Sequence, residues 1–243
     1  MPHCFSVPLR VRSHDCDAWG ILSPVALLHW IQDTAEDHAS ALGFGYDFCA
    51  SRQLAWVERR LSITIHRLPR WKDECIAQTW TFPHSPLVAI RNFSLTAPSG
   101  ELLIEASCEW VIIDINRRRP IALKQHIDSF PDSEGTIISP FPSPAEVAED
   151  SVSRSFLAEW SDVDFNGHVN NSVYLRWAID SLPSDWHKSQ LSHIAMSFRH
   201  ECHLGDAITS VTNFSDTSAL VSLQCNGELR AQVNLTRRPS STL

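Results

Sequence analysis

The chain has 243 residues, 43% hydrophobic and 20% charged, and a formal net charge of −8. These values fit an ordinary soluble globular protein of one large or two smaller domains. They make the whole a poor nucleic-acid binder and leave no run of about 18 uncharged apolar residues to cross a membrane as a helix.

The opening FSVPLRVRSHD alternates as a strand does, and nothing before it has the apolar region of a signal peptide. Ser23-Pro24 sets up a helix, with Ser as N-cap and Pro in the first turn. Leu28, Ile31, Ala35, Ala39 and Leu42 follow at helical spacing, and Gly43 is a natural stop. Runs rich in β-branched and aromatic residues come next at 55–68, 74–82, 87–97 and 101–115. The turn chemistry of PRWKD, PHSP and PSG separates them, so four strands are expected. Residues 128–150, DSFPDSEGTIISPFPSPAEVAED, are rich in Pro, Ser and acid and read as an inter-domain linker.

The plan then restarts. DVDFNGHVNNSVYLRW (162–177) aligns without a gap on DCDAWGILSPVALLHW (15–30). Asp15/Asp162, Asp17/Asp164, Gly20/Gly167, Leu28/Leu175 and Trp30/Trp177 coincide. Strand-like stretches follow again at 193–201, 207–215, 219–226 and 228–237, and PSGEL has its counterpart in CNGEL. A tandem duplication is expected, with a first domain at 1–127, the linker at 128–150 and a second domain at 151–243. A long helix followed by an antiparallel meander, twice over, points to an α+β tandem (double) hot-dog fold. Each helix should bury its apolar stripe on its own curled sheet.

The halves are most informative where they disagree. Trp19, Ile21, Ser23 and Pro24 of the first stand opposite Asn166, His168, Asn170 and Asn171 of the second. One version is a greasy entrance with an ordinary cap; the other is polar and has lost its proline. A helix start offers N–H donors and a positive dipole end suited to a developing oxyanion. In an extended segment Asn166 and His168 share a side, with Asp164 two residues further back. The missing nucleophile or base is sought in the next predicted strand, SFRHECHLGD (197–206), as Glu201 activating water or Cys202 attacking directly. Unless a bulge intervenes, alternation sets Met196, Phe198, His200 and Cys202 against Arg199, Glu201 and His203. It leaves the choice between Glu201 and Cys202 open. HECH could be mistaken for a metal site, but no HExxH or cysteine pair accompanies it, so neither metal nor cofactor is expected.

DVDFNGHVNNSVYLRWAIDSLP resembles the catalytic motif of the acyl-acyl carrier protein (acyl-ACP) thioesterases, and FRHECHLGD resembles the segment that supplies that family's remaining active-site residues. RLPRWKDECIAQTW and ASCEWVIIDINRRRP are similar to its substrate-domain strands. The resemblance implies a catalytic network of Asp164, Asn166, His168 and Glu201, with Cys202 where some plant members carry a cysteine once proposed as nucleophile. It also implies an acyl pocket shaped by the first half, with Trp56, Ile65 and Phe82 as candidate lining. The expected reaction is hydrolysis of a fatty acyl thioester of acyl carrier protein, with N–H groups near Asn170 and Asn171 holding the oxyanion. A Cys202–His168 nucleophile pair is the competing mechanism.

Carrier proteins are acidic, so Arg59, Arg60, Arg67, Arg70, Lys72, Arg117, Arg118 and Arg119 are candidate docking cations. The resemblance leaves room for a homodimer. Seven dispersed cysteines without a CxxC pair point to free thiols in a reducing compartment. A start almost at the first strand, without a plant transit extension, adds to the expectation of a bacterial, cytoplasmic protein. An acyl-CoA thioesterase, a dehydratase on the same fold and a non-catalytic acyl-binding module are the alternatives.

Overall fold

The computed structural model describes residues 4–128, 130–131, 135–143 and 151–239. They fall into two compact units, Met1–Phe141 and Pro142–Leu243.

The first unit runs β1 (Phe5–Arg10), a one-turn 3-10 helix (Ser13–Asp15), α1 (Pro24–Ala41), α2 (Tyr46–Ala50), β2 (Leu54–Ile65), β3 (Glu74–Pro83), β4 (Val88–Thr96), β5 (Leu102–Asp114), a short β6 (Arg119–Pro120) and α3 (Leu123–His126). The four long strands fall where period-2 patterning placed them. Together with β1 they form an antiparallel sheet in the order β1-β3-β4-β5-β2, and β6 pairs with β5. Helix α1 starts as its sequence dictates: the Ser23 hydroxyl accepts the Ala26 N–H at 3.1 Å, and Pro24 needs no donor there. It ends at Gly43, whose φ of +82° suits a residue without Cβ. Leu27, Leu28, Ile31, Ala35 and Ala39 form its buried stripe. Each Leu or Ile so buried contributes about 1.5–3 kcal/mol.

The second unit runs β7 (Val152–Leu157), a 3-10 turn (Trp160–Asp162), α4 (Asn171–Asp180), α5 (Ser184–His187), β8 (Leu191–Phe198), β9 (Ala207–Phe214), β10 (Ser218–Cys225) and β11 (Glu228–Arg237). Its order, β7-β9-β10-β11-β8, repeats that of the first unit strand for strand. Each unit thus sets a helix on an antiparallel sheet of five main strands, the α+β hot-dog plan. Helix α4 has 10 residues against 18 in α1, because Pro183 lies just past its Ser181 cap and cannot continue it. Tyr174, Leu175, Trp177 and Ala178 form its buried face.

Two details differ from the sequence reading. Strand β8 stops at Phe198 rather than running through 206, so Glu201 and Cys202 lie on a loop. The described part of the stretch read as a linker begins inside the first unit. Phe130 is in its core, and Ser139 is fully buried. The Asn92 side-chain amide donates to the Thr136 carbonyl, and the Ser107 hydroxyl accepts from the Ile138 and Ser139 N–H groups. Residues 129, 132–134 and 144–150 of that stretch lie outside the described residues.

Candidate active site

The site begins with a backbone that both units share. In the second, the buried Asp162 carboxylate accepts the Glu159 N–H at 3.0 Å and the Arg176 guanidinium at 2.6 Å. A buried charge needs such a partner; removing it costs about 3–5 kcal/mol. The Asn170 N–H donates to the Asp162 carbonyl and the Asp164 N–H to the His168 carbonyl, both at 2.9 Å. Gly167 turns the loop at φ +81°, and the Asp164 carboxylate accepts the Asn166 N–H at 2.8 Å. The first unit repeats the bonds donated by main-chain N–H groups at Asp15, Ser23, Asp17, Gly20 and Trp19, with distances of 2.8–3.1 Å.

The second loop also has a counterpart. The Val169 N–H donates to the Cys202 carbonyl at 2.8 Å, as the Leu22 N–H donates to the Pro69 carbonyl at 2.9 Å. The His203 N–H reaches the Asp206 carboxylate, as the Arg70 N–H reaches Asp73, both at 2.9 Å. LPRWKD (68–73) and ECHLGD (201–206) are therefore the same turn. The backbone equivalence sets His168 opposite Ile21, Glu201 opposite Leu68 and His203 opposite Arg70.

Cys202 is the peg that joins the two loops. Its carbonyl holds Val169, its N–H donates to the Tyr174 hydroxyl at 2.9 Å, and its side chain is fully buried. Burial pushes its thiol above the usual range, which disfavours the thiolate. With Cys202 turned inward, Glu201 and His203 on either side are exposed. The Glu201 Oε2 lies 3.3 Å from the His168 Nε2. The His168 and His203 rings meet edge to face with centroids 4.9 Å apart.

The structure thus brings His168 and Glu201 together and adds His203, which the sequence reading gave no role. Its spacing from Glu201 was a usable signal, since residues two apart share a side in extended chain. Asn166 lies exposed on the same turn as His168, with its N–H bonded to Asp164. Asp164 has the same backbone duty as Asp17. Asn170 is the N-cap of α4: its side chain accepts the Ser172 N–H at 2.9 Å and its own N–H is bonded to Asp162. It is therefore already engaged in holding the helix start. Asn171 is the first, half-buried residue of that helix.

The first unit contains an open cleft lined by residues that include Ala39, Phe44, Trp56 and Phe130, with Glu36 and Arg91 among its polar groups. Of the three candidate pocket residues Trp56 lines this cleft, and Ile65 and Phe82 are buried outside it. Among the candidate docking cations, Arg59 and Arg60 pair with Glu109, Arg67 with Glu101 and Asp73, and Arg117 with Asp114. Among the described residues, Arg70, Lys72, Arg118 and Arg119 make no such ion pair.

The model of the acyl-ACP thioesterase N-terminal domain matches residues 2–129, and that of the C-terminal domain matches residues 145–238. The chain is 28% identical over 231 residues to a chloroplastic palmitoyl-acyl carrier protein thioesterase of Gossypium hirsutum, covering 88% of this chain and 56% of that protein. It is 25% identical over 235 residues to the chloroplastic oleoyl-acyl carrier protein thioesterase 2 of Arabidopsis thaliana, covering 87% and 63%. The chain spans about half the length of these curated relatives. Two solved structures share its fold. An acyl-ACP thioesterase from Bacteroides thetaiotaomicron has a TM-score of 0.85 at 24% identity, covering 97% of this chain and 98% of that one. A 12:0-ACP thioesterase from Umbellularia californica has a TM-score of 0.87 at 22% identity, covering 98% of each. With both family domains matched in order along it, the chain belongs to the acyl-ACP thioesterase family.

Proposed function

We propose that this chain hydrolyses fatty acyl thioesters of acyl carrier protein and releases the free fatty acid. The observation that carries the reading is the 3.3 Å contact between His168 and Glu201, at positions where the sister unit has Ile21 and Leu68. Glu201 removes a proton from a water molecule as its oxygen adds to the thioester carbonyl carbon. The tetrahedral intermediate expels the pantetheine sulfur, which takes up the proton and leaves as a thiol. His168 orients Glu201 and the water, and Asn166 supplies a side-chain donor for the substrate. A thioester is activated enough to need no covalent enzyme intermediate. The buried, weakly acidic Cys202 is a poor nucleophile and serves as the structural peg.

The apolar cleft of the first unit suits an acyl chain. Arg70 and Lys72, exposed cations without an ion-pair partner among the described residues, suit an acidic carrier. All seven cysteines are free thiols, which supports a reducing, cytoplasmic setting.

Fatty acid release from a panel of acyl-carrier and acyl-CoA thioesters tests the reading. A clear preference for carrier-bound substrate, weakened by added salt, is expected. Equal or faster turnover of acyl-CoA would make the chain an acyl-CoA thioesterase. Binding without release would make it an acyl-binding module.

A further inference from the structure

His203 is outside the proposed hydrolytic step, yet it completes a recognisable donor set. One ligand atom each from His168, Glu201 and His203 can be chosen so that all three lie within 4.8 Å of one another. Two imidazoles and a carboxylate around an open fourth position form a set that Zn²⁺ takes readily, and that Co²⁺ and Ni²⁺ also accept. Metal–donor bonds of about 2.0–2.2 Å place tetrahedral donors roughly 3.3 Å apart. His168 and Glu201 already have that separation. His203 is exposed, so rotation of its ring can bring its nitrogen in without moving the backbone. Its position is fixed by the main-chain bond to Asp206, which any side chain at 203 would keep.

We propose that His168, Glu201 and His203 bind Zn²⁺, and that the bound ion blocks hydrolysis by occupying the Glu201 carboxylate needed as base. The inhibitory half rests on the hydrolytic reading above; the binding half does not. The first unit has Ile21, Leu68 and Arg70 at the matching positions, so the donor set exists only where the two units have diverged.

The test uses the full chain, stripped of metal with a chelator. Fatty acid release is followed as Zn²⁺ is added, and Co²⁺ is titrated separately for its visible absorption. Micromolar Zn²⁺ is expected to stop turnover, with chelator restoring it, and Co²⁺ to give the intense bands of a four-coordinate site. Losing even an outer partner of a metal ligand costs about 10–100-fold in affinity. His203→Gln should therefore need at least about tenfold more Zn²⁺ for half-inhibition and lose the Co²⁺ bands. Its metal-free turnover should remain near that of the parent. Equal Zn²⁺ sensitivity in both proteins would overturn the site and implicate the thiols, and faster turnover with Zn²⁺ would overturn the inhibition. A chain that gives the Co²⁺ bands but hydrolyses nothing keeps the site and loses the hydrolytic reading.

Discussion

The turns at 15–24 and 162–171 follow one backbone and hold different chemistry. Asp15 and Asp162 pin the entry, Asp17 and Asp164 cap the turn, and Gly20 and Gly167 supply its left-handed residue. The partner turns at 68–73 and 201–206 match in the same way through Pro69 and Cys202, and through Asp73 and Asp206. Identity between the units therefore marks what holds the backbone. The groups proposed to react lie at the mismatches: Asn166 for Trp19, His168 for Ile21 and Glu201 for Leu68. A residue present in both units has a structural duty first, whatever else it does.

That comparison can be broken most visibly at the matched pair Trp19 and Asn166. Asn166→Ala should lower kcat on the order of 100-fold, the usual cost of losing a positioned donor in a transition state. Trp19→Ala should leave it within about twofold, since exposed positions without such a duty change little. Comparable losses in the two variants would mean that the units share the chemistry.

The two turn aspartates sharpen it in stability rather than rate. The Asp17 carboxylate accepts two N–H groups, from Trp19 and Ile21, whereas that of Asp164 accepts one, from Asn166. Asp17→Ala should cost about 2 kcal/mol and Asp164→Ala about 1 kcal/mol in urea unfolding, after allowing for partial exposure. A reversed order would show that Asp164 does more for the fold than its counterpart.

A small effect is also expected at Cys202. Cys202→Ala should keep turnover within about threefold, because its main-chain bonds to Val169 and Tyr174 survive the loss of the thiol. Burial raises its thiol, so at a given pH less of it is thiolate than in an ordinary cysteine. Alkylation in the folded protein should be slow near neutrality and quicken only at more alkaline pH. Fast labelling of Cys202 at pH 7, accompanied by inactivation, would favour the nucleophile mechanism.

Much of this was legible in the chain. Period-2 patterning and turn residues placed the long strands of both units, and Ser23-Pro24 placed α1, because each of those signals is local. The polar cluster at 164–171 stood out because a sister segment folds without it. What escaped depends on contacts distant in sequence. The stretch 136–139 reads as linker, but Asn92 and Ser107 hold its backbone. Residues 199–205 are exposed apart from the buried Cys202, and it is the Val169 bond that pins them as a loop. The meeting of His203 with His168 follows from that same bond, and neither local sequence contains it.

The central claim is that Glu201, held beside His168, is the base that activates water. Glu201→Gln keeps the size and shape of the side chain and removes its basicity. Single-turnover release of fatty acid from acyl carrier protein should fall by about 10³-fold or more in that variant, a loss typical of a missing general base. Release within a few-fold of the parent would contradict the account.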